Sequence, residues 1–98
     1  MNRRVVFHPE AEEELHRATS YYEAESPGIG QALLEDIELA IAQISQYPDS
    51  APLVSQLVRR KTLRRFPNNI MYIVLPGTIR ILSLAHHKRR PFYWRGRG

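Results

Sequence analysis

The chain contains no cysteine. That absence excludes disulfides, thiolate metal sites and a thiol nucleophile, and it fits a reducing compartment. No run of residues approaches the roughly 20 apolar positions that a membrane span needs. Met1-Asn2-Arg3-Arg4 begins basic, but only Val5, Val6 and Phe7 follow before His8-Pro9-Glu10, which is too short for a secretory signal. Glycine-rich phosphate loops, paired-carboxylate clefts and serine–histidine contexts are also missing. Histidines stand at 8, 16, 86 and 87 with no acid aimed at a common point, so neither metal nor cofactor is expected. A cytoplasmic protein without membrane attachment is the expectation.

The most informative shortage is of acid in the second half. All ten acidic residues lie between Glu10 and Asp49, where Arg3, Arg4 and Arg17 are the only basic residues of the first 49, leaving a charge of −7. Beyond Asp49 there are eleven Lys and Arg and no acid, a charge of +11, hidden inside a formal net charge of +4. Such segregation implies a basic surface that meets an anion, either nucleic acid or an acidic protein segment.

With 98 residues and 43 % hydrophobic content, the chain suits one folded domain spanning 1–98, since compact domains commonly hold about 100–150 residues. Arg4-Val5-Val6-Phe7 is a short strand candidate, stopped by His8-Pro9. Pro9 suits the first turn of a helix, and Glu10, Glu12, Glu13 and Glu14 crowd its positive end. Ala11, Leu15, Ala18 and Tyr22 make one apolar stripe, and Ser26-Pro27-Gly28 ends the helix. A second helix runs from near Gly30 to about Tyr47 with Leu33, Ile37, Ala40, Ile41 and Ile44 on one face; Pro48 and Pro52 close it.

After Pro52 the pattern becomes extended. Val58 to Phe66 is a strand candidate carrying Arg59, Arg60, Lys61, Arg64 and Arg65. Ile70 to Leu75 is apolar on both faces, as a central strand should be. Pro76-Gly77 fits a type II turn, so Leu75 pairs with Thr78 and the chain returns through His86. The order is βααβββ, an α+β fold with a helical hairpin on one face of a mainly antiparallel four-stranded sheet. Unbroken pairing puts Met71, Ile73 and Leu75 on one face with Leu82, Leu84 and His86. A two-residue turn at Asn68-Asn69 would place Arg64 opposite Ile73 and Arg65 opposite Tyr72, and a one-residue slip exchanges them. Phe92 to Trp94 should anchor the C-terminal segment, leaving only Arg95-Gly96-Arg97-Gly98 mobile.

Leu63-Arg64-Arg65-Phe66-Pro67, Ile70-Met71-Tyr72 and the run from Ile79 through His86-His87-Lys88-Arg89-Arg90-Pro91-Phe92-Tyr93-Trp94 resemble the RelE/ParE toxins. Phe7, Pro9-Glu10-Ala11, Tyr21-Tyr22, Pro27-Gly28-Ile29-Gly30 and Ile41-Ile44-Tyr47-Pro48 extend the resemblance in order over nearly the whole chain. It implies a toxin that a cognate antitoxin sequesters with an acidic, partly helical segment. It also implies growth arrest, either by cutting mRNA on the ribosome or by poisoning DNA gyrase.

Metal-free RNA cleavage needs a base for the 2′-hydroxyl, an acid for the leaving oxygen and cations on the phosphate. His86, His87 and Tyr93 can move protons, and Arg89 with Arg64, Arg65 and Arg90 can grip phosphate. In the RelE-like nucleases an arginine after the last strand is followed six positions later by a tyrosine; His87 and Tyr93 hold those places here. Asn69 or its neighbours stand where those nucleases often put a phosphate-gripping arginine. The long helical hairpin favours the gyrase poison, which needs a contact surface and no catalytic set. The candidate nucleic-acid or antitoxin contacts are Arg59, Arg60, Lys61, Arg64, Arg65, Arg90 and Arg95. A non-toxic basic nucleic-acid-binding module is the alternative, without a recognition helix or zinc spacing to support it.

Overall fold

The computed structural model describes residues 3–97, and their elements are β1 (Arg4–Phe7), α1 (Pro9–Glu25), α2 (Ile29–Gln46), β2 (Arg59–Thr62), β3 (Asn68–Leu75) and β4 (Thr78–His86). The sheet order is β1-β4-β3-β2, with β1 parallel to β4 and the other pairs antiparallel. Both helices lie against one face, giving the βααβββ architecture expected from the sequence.

The helical hairpin is built by local chemistry. His8 caps α1, its Nδ1 accepting the Glu10 N–H at 3.1 Å, and Pro9 follows where no amide proton is needed. At the tip the Glu23 carboxylate accepts the N–H groups of Gly28 and Gly30, closing the start of α2. Gly30 is required by packing: a Cβ there would stand 2.7 Å from the Thr19 carbonyl oxygen of α1. Leu33, Ile37, Ala40 and Ile44 of α2 then bury against Ile70, Tyr72, Ile79, Ile81 and Leu84 of the central strands. Burial of each large side chain in this set stabilises the fold by about 1.5–3 kcal/mol. Tyr72 is fully buried and donates its hydroxyl to the Pro48 carbonyl at 2.7 Å, tying the connection after α2 to the sheet.

Leu75 pairs with Thr78 across Pro76-Gly77, and Gly77 takes a φ of +68° that this turn requires. Three expectations about the strands fail. β2 stops at Thr62, so Arg64 and Arg65 lie in a loop and face neither Ile73 nor Tyr72; on the β2 side Tyr72 pairs with Arg59. Asn68 and Asn69 belong to β3, not to a turn, with Asn68 opposite His86 and Asn69 opposite Ala85. The third concerns register. Tyr72 pairs with Ile81 but Met71 pairs with Ser83, so Leu82 is an extra residue, a β-bulge. The bulge sends Leu84 to the helix side, while Leu82 stays on the outer face with Met71 and Ile73. Alternation counted along β4 cannot anticipate that shift, because one added residue reverses the parity of everything after it.

The outer face of the sheet is covered by the C-terminal segment. Trp94 is buried against Val58, Met71 and Leu82, with Val54, Ile73 and Tyr93 around them. The expected anchoring by the aromatics is found for Tyr93 and Trp94, whereas Phe92 is exposed. Arg97, expected to be mobile, is instead buried at 8 % exposure; Gly98 lies outside the described residues. Glu14, one of the carboxylates that crowd the start of α1, is likewise buried.

Candidate functional site

On the outer face, the end of β4, the strand β2 and the C-terminal segment enclose a cavity of about 200 Å³. Its walls include Arg60, Asn69, His86, His87, Arg89, Arg90 and Tyr93. The structure therefore brings together all four residues expected to carry catalysis, His86, His87, Arg89 and Tyr93, with two of the expected binding cations, Arg60 and Arg90. A larger hollow of about 740 Å³ lies on the helical hairpin, but Glu23 at its edge is already engaged in closing α2. A hollow of about 550 Å³ between α1 and the end of β4 shares His86 and Arg89 with the smaller cavity, but only the smaller cavity also holds His87 and Tyr93.

Each group has a defined setting. Arg60 reaches the cavity because it pairs with Met71 and so shares the outer face. His86 is exposed and its Nδ1 accepts the Lys88 N–H at 3.1 Å, which puts the ring proton of a neutral imidazole on Nε2. Arg89 lies 4.4 Å above the Tyr93 ring and 3.4 Å from the Glu14 carboxylate. The Tyr93 hydroxyl is 2.9 Å from Ser83 Oγ. Burial raises the Tyr93 pKa above its ordinary value, the Glu14 charge adds to this, and the Ser83 hydrogen bond with the nearby Arg89 and Arg97 only partly offsets it. Tyr93 is thus a neutral phenol at physiological pH, able to donate a proton or a hydrogen bond but not to act as a base.

The remaining expected cations are elsewhere. Arg59 turns to the helix side, where it donates to the Asp49 and Ala51 carbonyls and meets the Asp49 carboxylate at 3.6 Å. Lys61 and Arg64 line a separate hollow beside Asp36 on α2, and the Arg65 N–H donates to the Asp36 carboxylate at 2.7 Å. Arg95 stacks over the exposed Phe92 ring at 4.5 Å. Three residues around the last strand were not singled out in the sequence as site residues. Ser83 and Arg97 carry no local signal. Glu14 does: it sits three positions after Ala11 and four before Ala18, on the apolar stripe of α1. Among the described residues no group of three His, Cys, Asp or Glu side chains can hold a metal ion. No described helix is long and apolar enough to cross a membrane.

A helical hairpin on a four-stranded sheet is the fold of small toxins solved in complexes with their antitoxins. The structure resembles the chromosomal ParDE toxin–antitoxin system of P. aeruginosa with a TM-score of 0.75 at 20 % identity, over 86 % of this chain and 95 % of that one. It resembles the RelBE2 toxin–antitoxin complex of Mycobacterium tuberculosis with a TM-score of 0.59 at 23 % identity, over 88 % of this chain and 99 % of that one. The sequence decides the family: the model of the ParE toxin of type II toxin–antitoxin systems (parDE) matches residues 5–91, and the chain belongs to that family. It is a toxin, and the alternative of a non-toxic nucleic-acid-binding module falls. No curated protein matches the sequence.

Proposed function

We propose that this toxin arrests growth by binding DNA gyrase in the cytoplasm, and that its cognate antitoxin prevents this by laying an acidic segment over the basic half. The observation that carries the choice of target is the state of Tyr93. The nuclease chemistry asks for a tyrosine whose hydroxyl reaches a scissile phosphate. Here the hydroxyl is engaged by the fully buried Ser83 and the ring is covered by Arg89. Such a side chain contributes shape and a fixed polar tip to a contact surface. The basic rim formed by Arg60, Arg89 and Arg90 supports an anionic partner. Lys61 of β2, with Arg64 and Arg65 of the loop after it, extends the positive field towards the helix side, where the same antitoxin segment can continue.

Ribosome-dependent mRNA cleavage is the second reading, favoured by one observation: His86, His87, Arg89 and Tyr93 do line a single cavity. Expression of the toxin without its antitoxin separates the two. The gyrase reading expects accumulated gyrase–DNA cleavage complexes with intact ribosome-bound mRNA. Site-specific mRNA cuts without gyrase–DNA complexes would reverse the choice of target, and undiminished growth at high levels of folded protein would contradict both.

A further inference from the structure

β4 is longer than the strand beside it. β1 accompanies it only from Thr78 to Ile81, and the last ladder bond is from the His8 N–H to the Ile81 carbonyl at 2.8 Å. At His8-Pro9 the chain leaves the sheet to start α1. Beyond Ile81 one edge of β4 therefore has no neighbouring strand among the described residues, although the residues there are buried. Buried backbone groups without partners are costly, so something must take the place of the strand.

Two side chains do so. Glu14, carried back over the gap by α1, accepts the Leu84 N–H at 3.1 Å. Arg97 donates to the Leu82 carbonyl at 3.1 Å. The two are joined by a bidentate pair, Arg97 Nη1 to Glu14 Oε1 at 2.9 Å and Nη2 to Oε2 at 3.1 Å, and Arg97 Nε reaches Glu10 at 2.8 Å. Glu14 and Arg97 are each 8 % exposed. A buried ion pair is tolerated when its hydrogen bonds are satisfied, and this one is bonded on both sides. Burial works against the Arg97 charge, but the hydrogen bond and charge of Glu14, with Glu10, outweigh it and hold the guanidinium protonated.

The consequence reaches the cavity. Arg97 ends a strap that leaves β4 at His86, and the same Glu14 carboxylate is 3.4 Å from Arg89. Both guanidinium groups lie close to the Tyr93 ring, Arg89 at 4.4 Å and Arg97 at 5.5 Å from its centroid. The family match stops at residue 91, so Tyr93, Trp94 and Arg97 all lie beyond it. We propose that Glu14 and Arg97 are positioning residues: they latch residues 92–97 across the open edge of β4 and so set where Arg89 and Tyr93 stand in the cavity. This rests on the reading of the cavity as the toxin's working face.

The only tryptophan, Trp94, sits inside the strap and reports its position. Full-length toxin carrying Arg97→Ala should keep its far-UV circular dichroism, shift its tryptophan emission to the red and become more open to acrylamide quenching. The toxin level needed to halve the growth rate should rise about tenfold through lost preorganisation. Arg97→Lys, able to meet Glu14 or Leu82 but not as a fork, should lie between on both readings. Unchanged Trp94 emission in Arg97→Ala would refute the latch. A released Trp94 with full toxicity would refute the positioning role. Should Arg97→Ala not fold, Arg97→Lys is judged by the same pair of readings. Full toxicity of Arg89→Ala would instead overturn the assignment of the cavity, while the emission of Trp94 in Arg97→Ala would still decide the latch.

Discussion

Tyr93→Phe removes a single oxygen from the outer face of the sheet, and its effects on stability and on toxicity can be worked out separately. The phenol ring, its place beside Trp94 and its stacking with Arg89 are unaffected by the change. What disappears is the 2.9 Å hydrogen bond to Ser83, whose side chain is fully buried. A buried hydroxyl left without a partner costs about 1–3 kcal/mol. For a domain of this size each kcal/mol lowers the melting temperature by roughly 4–8 °C, and total stabilities near 5–15 kcal/mol leave such a variant folded. Thermal melts followed by circular dichroism should therefore show a clear fall. Toxicity should stay within about threefold, because a gyrase contact keeps its surface; loss of general acid–base catalysis would instead reduce a nuclease by about 10²–10⁴. Growth arrest on induction without antitoxin measures that second quantity. An unchanged melt would show that the Ser83–Tyr93 bond contributes little. A hundredfold loss of toxicity in a protein that remains folded would refute the reading of Tyr93 as a contact residue.

Stability should also respond to alkaline pH. Burial raises the pKa of both Tyr72 and Tyr93 above 10.0, so the fold favours the neutral phenols; their contribution is complete below pH 10 and is lost as the pH climbs through the raised values. Denaturant midpoints measured across that range should fall, and less so in Tyr72→Phe; a flat profile to pH 12 would contradict the burial argument. The antitoxin should associate about tenfold more slowly at high salt than at low salt, since exposed cations steer it, and stopped-flow rates indifferent to salt would remove the electrostatic case.

Much of this molecule is written locally in its sequence. Apolar residues at helical spacing over Ala11 to Tyr22 and Leu33 to Ile44 specify the hairpin, and Pro9, Pro27-Gly28 and Pro48 mark its ends. Pro76-Gly77 fixes the pairing of Leu75 with Thr78, because a two-residue turn leaves one register. The separation of charge at Asp49 shows that one half of the chain meets an anion. His86, His87, Arg89, Arg90 and Tyr93 are near neighbours in sequence, so their convergence on one cavity requires only the strand end and the turn after it.

What the sequence left open depends on contacts between distant residues. The bulge at Leu82 decides which side chains of β4 face the helices, and it arises where two strands meet, not from the composition of either. Arg64 and Arg65 could not be assigned a face because β2 ends before reaching them. Arg97, in a glycine-rich terminus with every mark of a loose tail, is buried because Glu14 waits 83 positions away. That carboxylate is in turn held by a strand edge that β1 is too short to cover. An ion pair of this kind has no periodicity and no spacing; its reason is a vacancy in the hydrogen-bond ladder, and that vacancy exists only once the sheet has formed.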